Sequence, residues 1–338
     1  MKIWHLPIEP YETRYTADWV HQFETEFKNE NVEFETIFGE QTTSELKAGT
    51  VLDCCGTNIY KFSQLSNLLK KINDGLVKDN DCIFIADMWF PGLESLFYVR
   101  DISKINFKIY GILHAGTWDK HDFTSQAGMG IWAKNIETSW ITNVDKVFVA
   151  TAFHKRLIES YIPEAKCCIE VTGIPFYSNE LFEKYGGYTK ENIVVFPHRC
   201  VPEKQPELFD RLSTDPELRH LTFIKTLDVC ENRKQYFELL GRAKYMVSFA
   251  NQETFGYSTV ESMALGCKVF VPDHVSYKET VPEEDRYNVT DDWVDQVKNM
   301  ILKSEQDYVS PNYSPCLQKW QSSILNMINI MKGDNNVV

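Results

Sequence analysis

Between residues 82 and 150, three short apolar runs alternate with segments of helical pattern: "CIFIAD" (82–87), "FKIYGIL" (107–113) and "KVFVA" (146–150). After residue 190 the alternation starts again, with "NIVVF" (192–196), "LTFI" (221–224), "YMVSFA" (245–250) and "KVFVP" (268–272). A strand made of consecutive apolar residues has no polar face, so it must be covered on both sides. Such strands, separated by helices, assemble into a parallel sheet sandwiched between helices. Two rounds of the pattern predict two such sheets.

The remaining segments fit the same scheme. "KIWHL" (2–6) reads as a buried strand, and "TADWVHQFETEF" (16–27) as a helix with Trp19, Phe23 and Phe27 on one face. "VEFETIF" (32–38) and "VLD" (51–53) are further strand candidates, and a helix is expected from Phe62 to Ile72. Gly, Pro and Asn cluster over 173–192, which places the domain boundary there. The expected organisation is therefore α/β throughout. A Rossmann-like domain covers 1–175 and a second covers 176–312. The segment 313–338 is a helix returning to the first domain, with Leu317, Trp320, Ile324, Ile328 and Met331 at helical spacing.

Several classes of function lose support. No G-x-G-x-x-G follows the first strand and no phosphate-binding G-x-x-x-x-G-K-[ST] occurs. "DND" (79–81) precedes an apolar strand and reads as a solvated turn, not a metal site. Nine cysteines without CxxC spacing or an export signal point to reduced thiols in the cytoplasm. No apolar run reaches the length of about 18 residues needed to span a membrane. A net charge of −13 leaves nucleic acid only a local basic groove.

In open parallel sheets, ligands bind beyond the carboxyl ends of the strands. That selects the loops "PIEPYETRYT", "DMWFPG" and "HAGTWDKHDF" in the first half. In the second half it selects "PHRCVPEK", "KTLDVCEN" and "NQETFGYST". With two domains face to face, all of these border one cleft. The last loop leads into "ETFGYSTVESMALG", where Glu253 and Glu261 stand eight positions apart around a strand-to-helix turn.

This stretch resembles the E-x7-E motif of retaining GT-B glycosyltransferases, above all family 4, through Glu253, Phe255, Gly256, Glu261, Ala264 and Gly266. Upstream, "FPHRCVPEKQPELF" is similar to the phosphate-contact segment of the same enzymes, in its Arg199-to-Lys204 spacing; the family usually has glycine where His198 stands. The resemblance spans 190–280 and reaches the first half only by architecture and by His114. It implies a GT-B fold, a nucleoside-diphosphate sugar as donor, and no required cofactor or metal. Arg199, Lys204, Glu253 and His114 are then the catalytic set. Phe255, Gly256, Tyr257, Ser258 and Glu261 bind the donor, Glu253 accepting from the sugar hydroxyls and Glu261, two turns into the helix, from the ribose. The amides at Gly256–Tyr257–Ser258 lie at the positive end of a helix dipole, a physical match to a diphosphate. Arg199 and Lys204 would stabilise the leaving phosphate.

The acceptor is read from the first half. "IEPYETRYT", "DMWFPGLES" and "LHAGTWDKHDF" look like phage-encoded GT-B proteins that decorate hydroxymethylated DNA bases. On that resemblance duplex DNA is the partner. Arg14, Lys61, Lys70, Lys71 and Lys120 form a basic rim, and Tyr11, Tyr15, Trp89, Phe90 and Trp118 stack an extruded base, with Asp119 beside them. The alternatives are a glycan, lipid-linked or small-molecule acceptor, a catalytically silent sugar-nucleotide binder, and a GT-B epimerase. Trp132 and Glu137 are expected in loop packing.

Overall fold

The structure, a computed structural model, describes residues 1–12, 14–42 and 53–333. It divides into two compact units, one formed by Met1–Pro175 and the chain from Ser322 onward, the other by Phe176–Gln321. In the first unit β1 (Lys2–Leu6), α1 (Trp19–Asn29), β2 (Glu33–Thr36), α2 (Cys54–Asn73), β3 (Cys82–Ile85) and α3 (Glu94–Ser103) come first. They are followed by β4 (Lys108–Ile112), α4 (Phe123–Gln126), α5 (Gly130–Asn143), β5 (Lys146–Val149), α6 (Ala152–Tyr161) and β6 (Ile169–Val171).

The second unit opens with α7 (Ser178–Tyr185), β7 (Glu191–Phe196), α8 (Pro206–Ser213), β8 (Thr222–Lys225), α9 (Thr226–Val229), α10 (Arg233–Arg242) and β9 (Ala243–Val247). After α11 (Tyr257–Ala264), β10 (Lys268–Pro272), α12 (Tyr277–Thr280) and β11 (Arg286–Tyr287) come α13 (Trp293–Gln306) and α14 (Ser314–Leu317). The final helix, α15 (Ser323–Lys332), belongs to the first unit.

Both sheets are parallel throughout. The first has the order β2-β1-β3-β4-β5-β6 and the second β11-β10-β9-β7-β8. The apolar strands are buried as their composition requires: Cys82–Ile85 is covered along its whole length, and Val194–Phe196 likewise. Around them lie one core through Ile83, Ile85, Ile109 and Val147, and another through Val194, Phe196, Val247 and Phe270. In each sheet the strand order reverses once, between β1 and β3 in the first unit and between β7 and β9 in the second. Those reversals open the crevice where such sheets take ligands.

Helix α1 buries Trp19, Phe23 and Phe27, the face read from their spacing. Phe23 and Phe27 pack on His5 of β1, whose ring stacks on Phe84 at 5.5 Å. Burial depresses that imidazole to a pKa of about 3, so it behaves as a neutral aromatic. Asp79 and Asp81 of "DND" fasten backbone: Asp81 accepts from the amides of Lys2 and Lys78 and from the Trp4 indole, and Asp79 from the Asn106 amide.

Two elements differ from expectation, and one expected strand lies mostly outside the described residues. Val51 and Leu52 of the expected strand "VLD" lie outside the described residues, and Asp53 is the N-cap of α2, accepting from the Gly56 amide at 3.0 Å. The helix therefore starts at Cys54, eight residues before Phe62, because the cap fixes its start. The C-terminal segment is not one helix. Leu317 and Trp320 are buried in the second unit, whereas Ile324, Ile328 and Met331 are buried in the first, and the chain breaks between them around Gln321.

Candidate functional site

The reversal between β7 and β9 gathers the second unit's chemistry. The chain leaving β7 carries His198 and Arg199, then makes a single 3-10 turn over Pro202–Lys204. The chain leaving β9 runs through Asn251 to Glu253 and into α11. Two hydrogen bonds clip these loops together: the Asn251 amide donates to the Glu203 carbonyl at 2.8 Å, and the Gln205 side chain to the Phe249 carbonyl at 2.7 Å. Gln205 holds φ +50°, the left-handed conformation that turns the chain directly into α8.

At the clip Lys204 and Glu253 form an ion pair of 2.7 Å, with both side chains largely shielded from solvent. The Lys204 ammonium also donates to the Gln252 carbonyl. The His198 imidazole is buried beside them, with Nδ1 3.2 Å from Ser258 Oγ and 3.8 Å from Glu253 Oε1. Burial, reinforced by the charges of Lys204 and Arg199, holds this imidazole well below its ordinary pKa, so it is neutral. Arg199 is the more exposed cation, its guanidinium 3.8 Å from the buried Glu203 carboxylate. Lys204 therefore stands just before the start of α11, with the solvent-facing Arg199 on the same loop.

Gly256 makes that start possible. It caps α11 at φ +85° and ψ 60°, where an L side chain is disfavoured. The first carbonyl of the helix is its own, accepting from the Thr259 and Val260 amides. The amides of Tyr257 and Ser258 come before any intrahelical carbonyl can reach them. Phe255 adjoins this turn through Tyr257. It is buried against Tyr257, Phe176 and Trp320, at ring separations of 5.1, 6.4 and 5.1 Å, and its part is to seat the turn on the unit's core.

Glu261 is the fifth residue of α11, just over one turn in and not two, because the helix begins at Tyr257. Its carboxylate accepts from the Tyr236 hydroxyl at 2.9 Å and lies 3.9 Å from the Arg233 guanidinium. Burial pushes its pKa up to about 7, against the pull of Arg233 and Tyr236. These two partners on α10 had no sequence signal; only the packing of α10 against α11 brings them near. "KTLDV" forms the end of β8 and the short helix α9.

In the first unit the equivalent reversal lies between β1 and β3, and His114 follows the neighbouring β4. Both nitrogens of His114 are engaged: Tyr15 Oη lies 2.9 Å from Nδ1, and Nε2 donates to the Ala86 carbonyl at 2.7 Å. The Nε2 proton fixes the tautomer, so Nδ1 accepts from Tyr15. The ring stacks on Trp19 at 5.0 Å, and burial lowers its pKa despite Asp87 nearby. Lys61 pairs with Asp87 at 2.6 Å and donates to the Trp89 carbonyl. Buried Glu9, after β1, accepts from Thr57 at 3.1 Å, and its pKa is raised by burial. Glu9 and Asp87 lie in two of the loops that the strand-end rule selects, after the strands on either side of the reversal.

The remaining first-unit candidates are dispersed. The Arg14 guanidinium lies over Tyr11 at 5.5 Å. Trp89 packs edge-on against Trp140, and Trp118 stacks on Tyr161 at 5.0 Å under the Lys134 ammonium. Asp119 accepts from the His121 amide. Lys71 pairs with Glu35. Phe90 is buried in the core, while Trp132 is exposed. Glu137 is buried, accepts from the Thr117 amide at 2.9 Å, and is pushed up to about 7 by burial. Near it Thr117, Thr124, Ser125 and Lys134 line a cavity of about 160 Å³. Among the described residues no group of His, Cys, Asp or Glu has the makings of a metal site, and no helix is long and apolar enough to cross a membrane.

No family model and no curated protein sequence matches this chain. Solved structures do. Sucrose-phosphate synthase from Thermosynechococcus elongatus superimposes with a TM-score of 0.68 at 15% identity, over 98% of both chains. An α,α-trehalose-phosphate synthase (UDP-forming) from Burkholderia vietnamiensis gives 0.60 at 11% identity, over 99% of this chain and 95% of the other. Anabaena HepE in complex with UDP gives 0.55 at 13% identity, over 99% and 97%. The two parallel-sheet α/β units are those of the GT-B fold, as the sequence predicted.

Proposed function

We propose that the chain is a glycosyltransferase that moves a sugar from a nucleoside-diphosphate sugar to a hydroxyl group, with retention of anomeric configuration. The observation that carries this reading is the Lys204–Glu253 pair just before the start of α11, on the strand-order reversal of the second unit, with Arg199 on the same loop as Lys204. Two cations and a helix N-terminus suit a diphosphate. On binding, Lys204 exchanges part of its Glu253 contact for phosphate oxygen, and Glu253 is released to accept from sugar hydroxyls. Glu261 accepts from the ribose. The neighbours include a UDP-forming enzyme and a protein held with UDP, so uridine diphosphate is the first nucleotide to try.

Charge develops on the departing phosphate as the glycosidic bond breaks. Arg199, Lys204 and the helix N-terminus stabilise it there without a protein nucleophile or a metal. In a front-face displacement the same phosphate oxygen takes the acceptor's proton. The acceptor belongs at the first unit's strand ends, where Glu9, Asp87 and Lys61 offer acceptors and a donor to a hydroxylated molecule.

The hydroxymethyl group of a modified pyrimidine in DNA is the second reading, for which the local candidates are the partly exposed ring of Tyr15, itself packed on Trp19 and His114, and Arg14 beside it in sequence. Trp89 and Trp118 add little to it, since each already packs on another aromatic ring.

The test incubates the protein with UDP-, GDP- and ADP-sugars, alone and with sugars, sugar phosphates or duplex DNA with and without 5-hydroxymethylcytosine. Products are weighed and their anomeric configuration is read by NMR. An α-linked product from an α-linked donor supports the proposal. Inverted product overturns retention, and a mass gain on the modified base alone selects DNA. A silent binder would hold a nucleotide sugar and release nothing.

A further inference from the structure

We propose that His198 is a positioning residue that aims the Ser258 hydroxyl at the donor's diphosphate; this rests on the donor-site reading above. His198 stands in the loop after β7. Its ring is buried edge-on against Phe196 at 5.1 Å, and among the described residues Nε2 makes no hydrogen bond. Nδ1 faces Ser258 Oγ at 3.2 Å and, farther off, Glu253 Oε1 at 3.8 Å.

A neutral imidazole carries one proton, and the surroundings choose its nitrogen. On Nε2 the proton would be a buried donor with nothing to receive it, a rarer defect than an unused lone pair. On Nδ1 it meets the Ser258 oxygen, and the Glu253 carboxylate nearby favours it electrostatically. Nδ1–H therefore donates to Ser258 Oγ. That bond occupies a serine lone pair and leaves the serine's own proton to point elsewhere. Ser258 is the second residue of α11, on the turn proposed to take the phosphate, and its partner His198 feels the charges of Lys204 and Arg199. With Nδ1 as donor, the hydroxyl cannot donate back to His198 and is set to donate to phosphate oxygen. A glycine at 198 would leave the hydroxyl unaimed.

The chemistry separates the two ring nitrogens. Asparagine places an amide N–H near the position of Nδ1, and glutamine places one near Nε2. Binding of UDP, with GDP and ADP in parallel, is measured by calorimetry for wild type, His198→Ala, His198→Asn, His198→Gln, Ser258→Ala and the His198→Ala/Ser258→Ala pair, each checked for folding by thermal unfolding. His198→Ala is expected to weaken binding about tenfold, the size of one hydrogen bond to a charged group. His198→Asn should restore most of it and His198→Gln should not. The double variant should bind no worse than Ser258→Ala alone, because both changes remove one interaction.

Additive losses, equal rescue by both amides, or unchanged binding in His198→Ala would each overturn the proposal. Arg199→Ala serves as the reference: if it too leaves binding unchanged, the donor-site reading fails. If it weakens binding while the His198 variants do not, only the positioning role fails.

Discussion

Lys204 Nζ lies 2.7 Å from Glu253 Oε1, and the ammonium comes from the chain after β7 while the carboxylate comes from the chain after β9. Each is held away from solvent, so each is the other's principal counter-charge. Removing one partner leaves the second stranded. Lys204→Met is expected to lower stability toward the low end of about 3–5 kcal/mol. Lys204→Met combined with Glu253→Gln should recover part of that loss, as chemical denaturation of the four proteins will report. A double variant as unstable as the sum of the singles would show that the pair is not what holds these loops.

Arg199 makes the opposite prediction, because its guanidinium is more than a third exposed. Arg199→Ala should change stability by no more than about 0.5 kcal/mol. Its affinity for nucleoside diphosphate should nevertheless fall about ten- to a hundredfold, the worth of a charge-assisted hydrogen bond. The two readings come from thermal unfolding and titration calorimetry on the same preparation.

At Gly256 the backbone lies at φ +85°, and an added Cβ would meet Tyr277 at 3.4 Å. The contact is tolerable, so the conformation decides. Gly256→Ala should cost about 1–2 kcal/mol, the left-handed penalty for an L residue. A neutral result in thermal unfolding would mean that the turn relaxes to another geometry.

Glu261 should make both stability and binding depend on pH. Its folded pKa, about 7, is raised above the ordinary 4.5, so the folded state holds the proton more tightly than the unfolded one. Its contribution is therefore full below about 4.5 and is lost as pH rises through 7, at up to about 1.4 kcal/mol per pH unit. Glu261→Gln should flatten that slope. In the proposed ribose contact the ionised carboxylate is the stronger acceptor, so donor affinity in the wild type should rise across the same range, and the glutamine variant should not show it.

The parallel sheets were legible because runs such as "CIFIAD" and "NIVVF" leave a strand no polar face, whatever else surrounds it. Gly256 was legible for a similar reason, since a glycine that starts a helix is marked by its neighbours in sequence, whereas the pairing of Lys204 with Glu253 joins positions 49 residues apart. The burial of Phe255 was not legible, because an aromatic beside a glycine turn carries the same pattern whether it faces a ligand or a core. Tyr236 and Arg233 were invisible, since their meeting with Glu261 depends on the packing of α10. Asp87 and Glu9 were within reach. They follow the two strands on either side of the reversal, but strand order is settled by pairing across the sheet, which no local pattern records.

Helix α15 sets an order of events in synthesis. It buries Ile324, Ile328 and Met331 in the first unit, where the Cys82 thiol reaches the Met331 carbonyl at 3.7 Å and Lys332 pairs with Glu30 at 2.8 Å. Between Pro175 and Ser322 the ribosome must make the whole second unit, a delay on the order of ten seconds at ordinary elongation rates. For that interval the nascent first unit waits with the seat of α15 uncovered, so the unit begun first is the one finished last.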